Sequence, residues 1–327
     1  MTHATNPDAT PVGPSADPVP GFRLQMEDAR VRFGPPALDG LSLDLAPGVI
    51  HGLLGRNGSG KTTALSLAAG FRRPSGGRVL VDGEDPFENP RIAEGVCFVR
   101  ESGDMLTDEK VRDNLAFFAQ MRPAFDREYA ESLADVFQLD RKAKVKSLSR
   151  GQQSALGAVV GLATRAPLTI LDEVYLGMDA PSRYAFYDAL LADYVTHPRT
   201  FVLSSHLIGE LERLLESVAI LHRGRLLLAD DVASLRSRGA TLTGPFAAVD
   251  TLVHGARLTV VNRQELGRTS QVTVFGVLPP DVTEQARALD VEVGPVGLQD
   301  LFVHITTDTE ADRTGQTAPV LSTAKEA

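Results

Sequence analysis

The stretch GLLGRNGSGKTTALSL, residues 52–67, places four glycines before one lysine and two threonines. The pattern G-x-x-x-x-G-K-[ST] is satisfied by Gly55, Gly60, Lys61 and Thr62. The continuous apolar run GVIHGLLG predicts a buried strand before the loop, and KTTALSLAAG predicts a helix after it. Glycines let backbone N–H groups turn inward around an anion, and the helix presents its positive end to the same place. The stretch therefore predicts a loop that binds the phosphates of a nucleotide.

Each polar residue of this loop has an expected contact with a nucleoside triphosphate. Lys61 can bridge oxygens of the β- and γ-phosphates, and the Thr62 hydroxyl can be a ligand of Mg²⁺. Thr63 is placed to contact the α-phosphate. The predicted nucleotide-binding residues of the loop are Gly55, Arg56, Asn57, Gly58, Ser59, Gly60, Lys61, Thr62 and Thr63.

Two carboxylates follow a second predicted strand, PLTILDEV at residues 167–174. Acidic residues at the carboxyl end of a parallel strand lie at the crevice where phosphates bind. Asp172 can therefore hold Mg²⁺, and Glu173 can orient and deprotonate the attacking water. Taken alone, such a pair would be an ordinary solvated strand end. Beside the glycine loop, it predicts catalysis of phosphoryl transfer to water.

Composition excludes several other classes of protein. A formal net charge of −9 argues against a nucleic-acid partner, because phosphate backbones attract an excess of lysine and arginine. The single Cys97 lies in the apolar run GVCFV, which favours a core residue and is insufficient for a disulfide or a zinc cluster. No run of the chain approaches the roughly 18 apolar residues that span a bilayer.

The pattern of strands and helices predicts an α/β protein with appended segments. Residues 1–20 are rich in proline and predict a disordered tail. Residues 21–238 alternate strands with helices, which predicts a largely parallel sheet, and about 102–165 is mostly helical. Helices are predicted in SRYAFYDALLADYV and GELERLLESV, and a hairpin in VAILHRGRLLLAD turns at Arg223–Gly224.

The character of the sequence changes after about residue 239. ARLTVVN, SQVTVFGV and VEVGPV predict short strands, while DVTEQARAL and GLQDLFVHIT predict helices. Residues 239–307 are therefore expected to form a small α+β accessory domain. A polar tail follows at 308–327.

A resemblance to a known family depends on several motifs in order. LSRGQ, residues 148–152, resembles the signature LSGGQ of ABC-transporter ATPases, with Arg150 in place of the first glycine. Phe33 lies where that family has an aromatic, and His206 in FVLSSHLIGELE matches its switch histidine. Asp179 in YLGMDAPSR matches the aspartate of its D-loop, although the surrounding residues differ. The resemblance covers about residues 22–230.

The resemblance implies a role for each of these residues. Phe33 would stack on adenine and His206 would contact the γ-phosphate, although either could instead be an ordinary core or capping residue. In the family, the signature of a second copy of the chain closes on the γ-phosphate. The resemblance therefore implies that Ser149, Gly151 and Gln152, and also Asp179 of the D-loop, are nucleotide-binding residues. A Ser–His hydrolase built on Ser204, Ser205 and His206 is excluded, because no G-x-S-x-G elbow accompanies them.

Glu101 stands where the family usually has a glutamine that contacts Mg²⁺ or water. A carboxylate oxygen is a good ligand for Mg²⁺, so Glu101 is a candidate metal ligand together with Thr62 and Asp172. Its negative charge beside a polyphosphate would weaken ATP binding or slow turnover. The alternative is that Glu101 is a surface residue in a remodelled loop.

The resemblance implies a P-loop NTPase core of ABC type, with an antiparallel β subdomain and a helical subdomain. It further implies an ATPase that uses ATP and Mg²⁺, pairs with a second copy or a homologous subunit, and drives a separate membrane permease. Such a subunit would be cytoplasmic and peripheral on the cell membrane, and it would serve an exporter. Two alternatives are a soluble ABC-type ATPase that remodels a protein complex and a slowly hydrolysing nucleotide sensor.

Overall fold

The computed structural model describes residues 20–301 and 303, apart from 102, 103 and 277. A three-stranded antiparallel sheet is formed by β1 (Leu24–Arg32), β2 (Pro36–Leu45) and β4 (Gly76–Val81), in the order β2-β1-β4. Inward residues of β1 and β2 such as Leu24 and Leu41 are buried in one cluster with Leu65 of the following helix. This sheet therefore covers the phosphate loop's helix on one side.

The second sheet has six strands in the order β5-β6-β7-β3-β8-β9. Its strands are β3 (Ile50–Leu54), β5 (Val96–Arg100), β6 (Leu168–Asp172), β7 (Thr200–Ser205), β8 (Ser217–His222) and β9 (Arg225–Asp231). The first five in spatial order run parallel, and β9 is antiparallel to β8. Strands β3, β6 and β7 are buried at every position. Because they are neighbouring parallel strands, their carboxyl ends lie at the same edge of the sheet, where the predicted site residues follow.

Eight helices accompany these sheets within the described residues up to 238: α1 (Lys61–Ala68), α2 (Pro90–Gly95), α3 (Val111–Met121), α4 (Arg127–Val136), α5 (Arg150–Ala163), α6 (Ala180–Thr196), α7 (Ile208–Leu211) and α8 (Val232–Ser237). The region predicted to be mostly helical contains α3, α4 and α5. Residues 154–163 of α5 are all buried, since this helix packs between the sheet and α4.

The predicted helix in GELERLLESV is wrong over most of its length, and the predicted hairpin is confirmed. Helix α7 ends at Leu211, and β8 begins at Ser217, which pairs with His51 in the parallel sheet. Pairing with the buried strand β3 outweighs the local helical periodicity, which carries little free energy for so short a segment. The hairpin β8–β9 turns at Arg223 and Gly224, both with positive φ.

Residues 239–295 form a second arrangement with its own core. Its elements are β10 (Gly239–Pro245), α9 (Phe246–Gly255), β11 (Thr259–Leu266), β12 (Thr269–Phe275), α10 (Pro280–Ala288) and β13 (Glu292–Pro295). The sheet is antiparallel, in the order β11-β12-β10-β13, which is the βαββαβ arrangement of ferredoxin-like units. Residues of both helices and the inner strands form a separate hydrophobic cluster. The predicted tails lie outside the described residues, except for residue 20.

Candidate nucleotide-binding site

The phosphate loop joins β3 to α1 in a conformation that only glycine permits. A Cβ on Gly55 would lie 2.4 Å from the Ser59 hydroxyl oxygen, and one on Gly60 would lie 2.6 Å from the Ala37 carbonyl oxygen. Gly60 also has φ of 105°, in the left-handed region. The loop encloses a cavity of about 400 Å³, lined by Ala37, Asn57, Gly58, Ser59, Gly60, Lys61, Thr62, Thr63 and Glu173.

No side chain caps the start of α1. The first N–H groups of a helix have no partner within the helix, and they carry its positive dipole end. Because these groups open onto the glycine-lined cavity, the arrangement suits a polyphosphate anion.

Lys61, Glu173 and His206 come from three separate elements and meet beside the cavity. The Lys61 side chain is 6% exposed, and its Nζ donates to the carbonyl oxygen of Gly55 over 2.7 Å. The same Nζ lies 3.3 Å from Glu173 Oε1, which lies 3.1 Å from His206 Nδ1. Glu173 has φ of 56°, so its backbone directs the carboxylate in an uncommon conformation. One carboxylate oxygen thus links the loop lysine to the histidine after β7.

Asp172 ends β6 and is buried beside the loop. Its carboxylate accepts hydrogen bonds from the Ser204 and Thr62 hydroxyl groups. Burial raises the pKa of Asp172 above its ordinary value, while these hydrogen bonds and Lys61 oppose the shift. A buried carboxylate next to a hydroxyl oxygen offers the hard oxygen ligands that Mg²⁺ prefers, so Thr62 and Asp172 fit that ion.

Ser204 was not among the predicted site residues, but it contacts Asp172. We call the group formed by Lys61, Thr62, Asp172, Glu173, Ser204 and His206 the phosphate corner. Ser204 lies opposite Asp172 in the register of the parallel strands β6 and β7. The signal was present in LSSH, since a serine at the end of a strand beside Asp172 can bond its carboxylate. Strand neighbours, however, become known only when the order of the sheet is known.

Phe33 lies at the surface, which excludes its interpretation as a core residue. It is 62% exposed, and the guanidinium of Arg72 lies 4.7 Å from the centre of its ring. A smaller cleft of about 140 Å³ contains Phe33 together with Thr62 and Thr63. An exposed aromatic ring therefore borders the phosphate loop, where a base could stack on it.

The signature residues start α5 and form a closed cap. Ser149 Oγ accepts from the Gln152 N–H over 3.2 Å, and the Gln152 side chain accepts from the Ser149 N–H over 3.1 Å. A Cβ on Gly151 would lie 2.9 Å from the carbonyl oxygen of Gly177. These residues are not among the described residues that line the phosphate cavity. Among the described residues, the signature therefore contributes nothing to the lining of the phosphate cavity.

Glu101 and Asp179, which were predicted to contact Mg²⁺ and nucleotide, contact other protein groups in the structure. Glu101 forms an ion pair with Arg150, so the two departures from the family pattern contact each other. Asp179 caps α6 by accepting from the Ser182 N–H over 2.9 Å. Neither Glu101 nor Asp179 is among the described residues lining the phosphate cavity. Their contacts with Mg²⁺ or nucleotide stay predictions.

Comparison with known proteins identifies the family of the chain. The family model described as ABC transporter matches residues 38–175. An uncharacterized ABC transporter ATP-binding protein of Methanocaldococcus jannaschii is 30% identical over 210 residues, which cover 62% of this chain and 75% of that protein. The chain belongs to the ABC transporter family. The predicted ATP-binding subunit with ATPase activity is thereby confirmed.

Two more relatives of this ABC subunit match over most of their length. The ABC transporter ATP-binding protein YtrB of Bacillus subtilis is 26% identical over 278 residues, 83% of this chain and 93% of that protein. The Nod factor export ATP-binding protein I of Paraburkholderia xenovorans is 27% identical over 299 residues, 88% of this chain and 98% of that protein.

Solved structures confirm the predicted fold class of the ABC subunit. The ATP-binding subunit of an ABC transporter superposes with a TM-score of 0.59 at 22% identity, over 65% of this chain and 91% of that one. A dimeric ATP-binding cassette bound to ADP and Pi gives 0.58 at 18% identity, over 64% and 98%. Among the described residues, no helix has the length and apolar character needed to cross a membrane.

Proposed function

We propose that two copies of this ABC subunit close around ATP and Mg²⁺, and that closure drives a separate permease that exports its substrate. The observation that carries the proposal is that the signature residues are not among the described residues lining the phosphate cavity. Lys61, Glu173 and His206 meet at the phosphate loop, whereas Ser149 starts α5 elsewhere on the same chain. A second copy in antiparallel orientation would supply the missing signature. The dimeric cassette with the same fold supports this arrangement.

Each residue of the phosphate corner except Ser204 has a step in the proposed hydrolysis. Lys61 binds the β- and γ-phosphates, and His206 contacts the γ-phosphate. Glu173 takes a proton from water as the water oxygen attacks the γ-phosphorus and the bond to the bridging oxygen of ADP breaks. Thr62 and Asp172 would hold Mg²⁺, which neutralises charge on the phosphates when bound.

The contacts of Glu173 explain how ATP would start this step. In the structure, the carboxylate of Glu173 is the ionic partner of Lys61 at 3.3 Å. The γ-phosphate carries more negative charge and can replace the carboxylate as the partner of that lysine. Glu173 would then be released toward the attacking water, so binding and activation of the base would be one event.

An apolar groove between α2 and α3, where α3 belongs to the helical subdomain, supports the proposed permease partner. It has a volume of about 450 Å³ and is lined by Pro90, Ala93, Glu94, Phe117, Phe118, Met121 and Arg122. Phe117 and Met121 are 39% and 61% exposed, although both are large and apolar. Exposed apolar surface of this kind is typical of a site for a protein partner. We infer that a cytoplasmic helix of the permease docks here.

The direction of transport and the division into domains are also inferences. A relative named for Nod factor export matches over 98% of its length, which supports an exporter. We assign residues 21–238 to the ATPase domain because the two sheets and their helices share two buried clusters. We assign 239–307 to an accessory domain, supported by the separate core of residues 239–295.

Trapping of a dimer tests the proposal. Glu173→Gln should retain ATP binding, lose roughly 10²- to 10⁴-fold in hydrolysis, and elute as a dimer only with ATP and Mg²⁺. The variant Glu173→Gln, Ser149→Ala is the matched control, since it keeps the phosphate loop and removes the signature serine. Normal turnover of Glu173→Gln would refute its role as the base. A monomer that binds ATP without pairing would refute the shared site.

The permease partner is tested in native membranes. Affinity purification of the chain should recover an integral membrane protein with about six apolar helices. Replacing both Phe117 and Met121 by serine should abolish this recovery and leave ATP binding by the purified chain unchanged. Equal recovery with the double variant would place the docking site elsewhere.

A further inference from the structure

The last described turn of the chain bridges the C-terminal sheet and the ATPase site. Residues 298–301 are helical, and two residues separate them from the end of β13. Asp300 accepts hydrogen bonds from Asn262 of β11 and Thr273 of β12, each over 3.2 Å. Leu298 and Leu301 are buried in the large cluster of the ATPase domain, which also contains Ile208 and Leu211 of α7. A single helical turn is therefore fixed to both parts of the molecule.

The same turn supplies a hydrogen bond to α7. The Gly209 N–H donates to Gln299 Oε1 over 3.2 Å, across 90 residues of sequence. Gly209 is the third residue after His206, which contacts Glu173. The bond therefore lies three residues along the chain from the histidine that the proposed function places on the γ-phosphate.

Helix α7 has little stability of its own. It has four residues, its N-cap Leu207 provides no side-chain hydrogen bond, and one of its positions is glycine. Helices this short are marginal without outside contacts, and glycine costs about 1 kcal/mol relative to alanine. A cavity of about 310 Å³ borders Gly209, and no described atom outside its chain neighbours and its own helix backbone lies within 4 Å of the place where a Cβ on Gly209 would stand. External contacts must therefore hold this helix in place.

We propose that the C-terminal unit positions His206 through α7, and that Gln299 is the positioning residue. This inference rests on the role of His206 in the proposed function. Gln299 replaces the missing cap by satisfying an N–H at the start of α7, while Leu298 and Leu301 are buried in the same cluster as Ile208 and Leu211 of that helix. The orientation of the switch histidine His206 thus depends on the position of the C-terminal sheet relative to α7.

Variants at Gln299 test the contact in the full chain. Gln299→Leu removes the acceptor, and Gln299→Glu keeps an oxygen at the same place. Gln299→Leu should lower kcat about three- to tenfold, the worth of one neutral hydrogen bond. The affinity for a non-hydrolysable ATP analogue should change less than twofold, and Gln299→Glu should restore kcat. Gln285→Leu, at an exposed position of α10, is the control and should match the unaltered chain.

The mechanism of the effect is tested with His206→Ala. In single-turnover assays, Gln299→Leu should cause no further loss in a chain that already carries His206→Ala. Amide exchange of residues 208–212 should also become faster in Gln299→Leu. The same loss with and without His206, or unchanged exchange of α7, would overturn the positioning role. An unaltered kcat in His206→Ala alone would instead overturn the role of His206 in the proposed function, and the positioning with it.

Discussion

The starts of α1 and α5 serve the same proposed ligand in opposite ways. Helix α1 follows Gly60 and has no side-chain cap, so its first N–H groups open onto the phosphate cavity. Helix α5 follows Ser149, whose capping box with Gln152 satisfies the corresponding groups from within. The first start is an anion site built in advance. The start of α5 is stable without a ligand, which suits a surface that contacts nucleotide only after another copy of the chain has bound.

Removing the lysine of the first helix start should have the largest effect. Lys61→Ala deletes a buried charge that contacts the loop carbonyl of Gly55 and the carboxylate of Glu173. Charged hydrogen bonds contribute about 1.5–3 kcal/mol each, so ATP-analogue affinity should fall at least about 100-fold in calorimetry. Lys146→Ala, at an exposed lysine paired with Asp108, should bind normally. Equal affinity of Lys61→Ala and the unaltered chain would remove the phosphate-loop assignment.

Replacing the buried carboxylate beside that helix should separate function from stability. Asp172→Asn should weaken Mg²⁺ binding by at least roughly tenfold, since even outer-shell partners of a metal contribute about 10- to 100-fold. The nucleotide-free variant should nevertheless be more resistant to urea at pH 7. Burial raises the folded-state pKa of Asp172, so its ionised form opposes folding at that pH.

The gain in stability expected for Asp172→Asn should depend on pH with a defined sign. Below the ordinary aspartate pKa both folded and unfolded chains are protonated, and the advantage of Asp172→Asn should vanish. It should grow as pH rises through the raised folded-state value. Glu173 raises this pKa further, while Lys61, Thr62 and Ser204 oppose it. An advantage that is constant with pH would contradict the raised pKa.

Opening the cap of the second helix start should have a moderate effect. Ser149→Ala breaks the capping box and should cost about 1 kcal/mol of unfolding free energy. Its ATP hydrolysis should fall further than this stability loss explains, because the serine would also face the partner's γ-phosphate. Asn89→Ala, which removes the cap of α2, is the control for stability alone. If both variants hydrolyse ATP equally, the signature serine acts only as a cap.

The smallest effect on stability is expected from breaking the ion pair between Glu101 and Arg150 at the start of α5. Glu101→Gln removes the ionic partner of Arg150, whose side chain is mostly exposed. Pairs of this kind contribute about 0–1 kcal/mol, so stability should hardly change. The Mg²⁺ dependence of hydrolysis should shift if Glu101 also reaches the metal. Superimposable titrations would leave Glu101 as the partner of Arg150 only.

Local backbone chemistry made most of the phosphate corner predictable from the sequence. The glycine loop, the strand before it and the helix after it are contiguous, and each follows from residue type alone. Asp172 and Glu173 were also predicted, because the change from apolar to acidic residues in PLTILDEV marks the end of a buried strand. Strand β10 and helix α9 were not predicted, although Ala240 and Leu242 alternate with less buried residues and Val249, Leu252 and Val253 recur at helical spacing. In α7 the local helical pattern was followed instead, and pairing of β8 with β3 ended that helix early.

The sequence by itself determined that a triphosphate-binding loop precedes two acidic residues, a signature-like helix start and a histidine, in the order of one ATPase family. Only the tertiary structure decided that Glu173 contacts both Lys61 and His206, that Glu101 contacts Arg150, and that Gln299 bonds to Gly209. Motifs depend on the conformations of neighbouring residues, which the local sequence restricts. These tertiary contacts join residues 33 to 112 positions apart. They depend on which elements pack together, and burial of the whole core selects that packing.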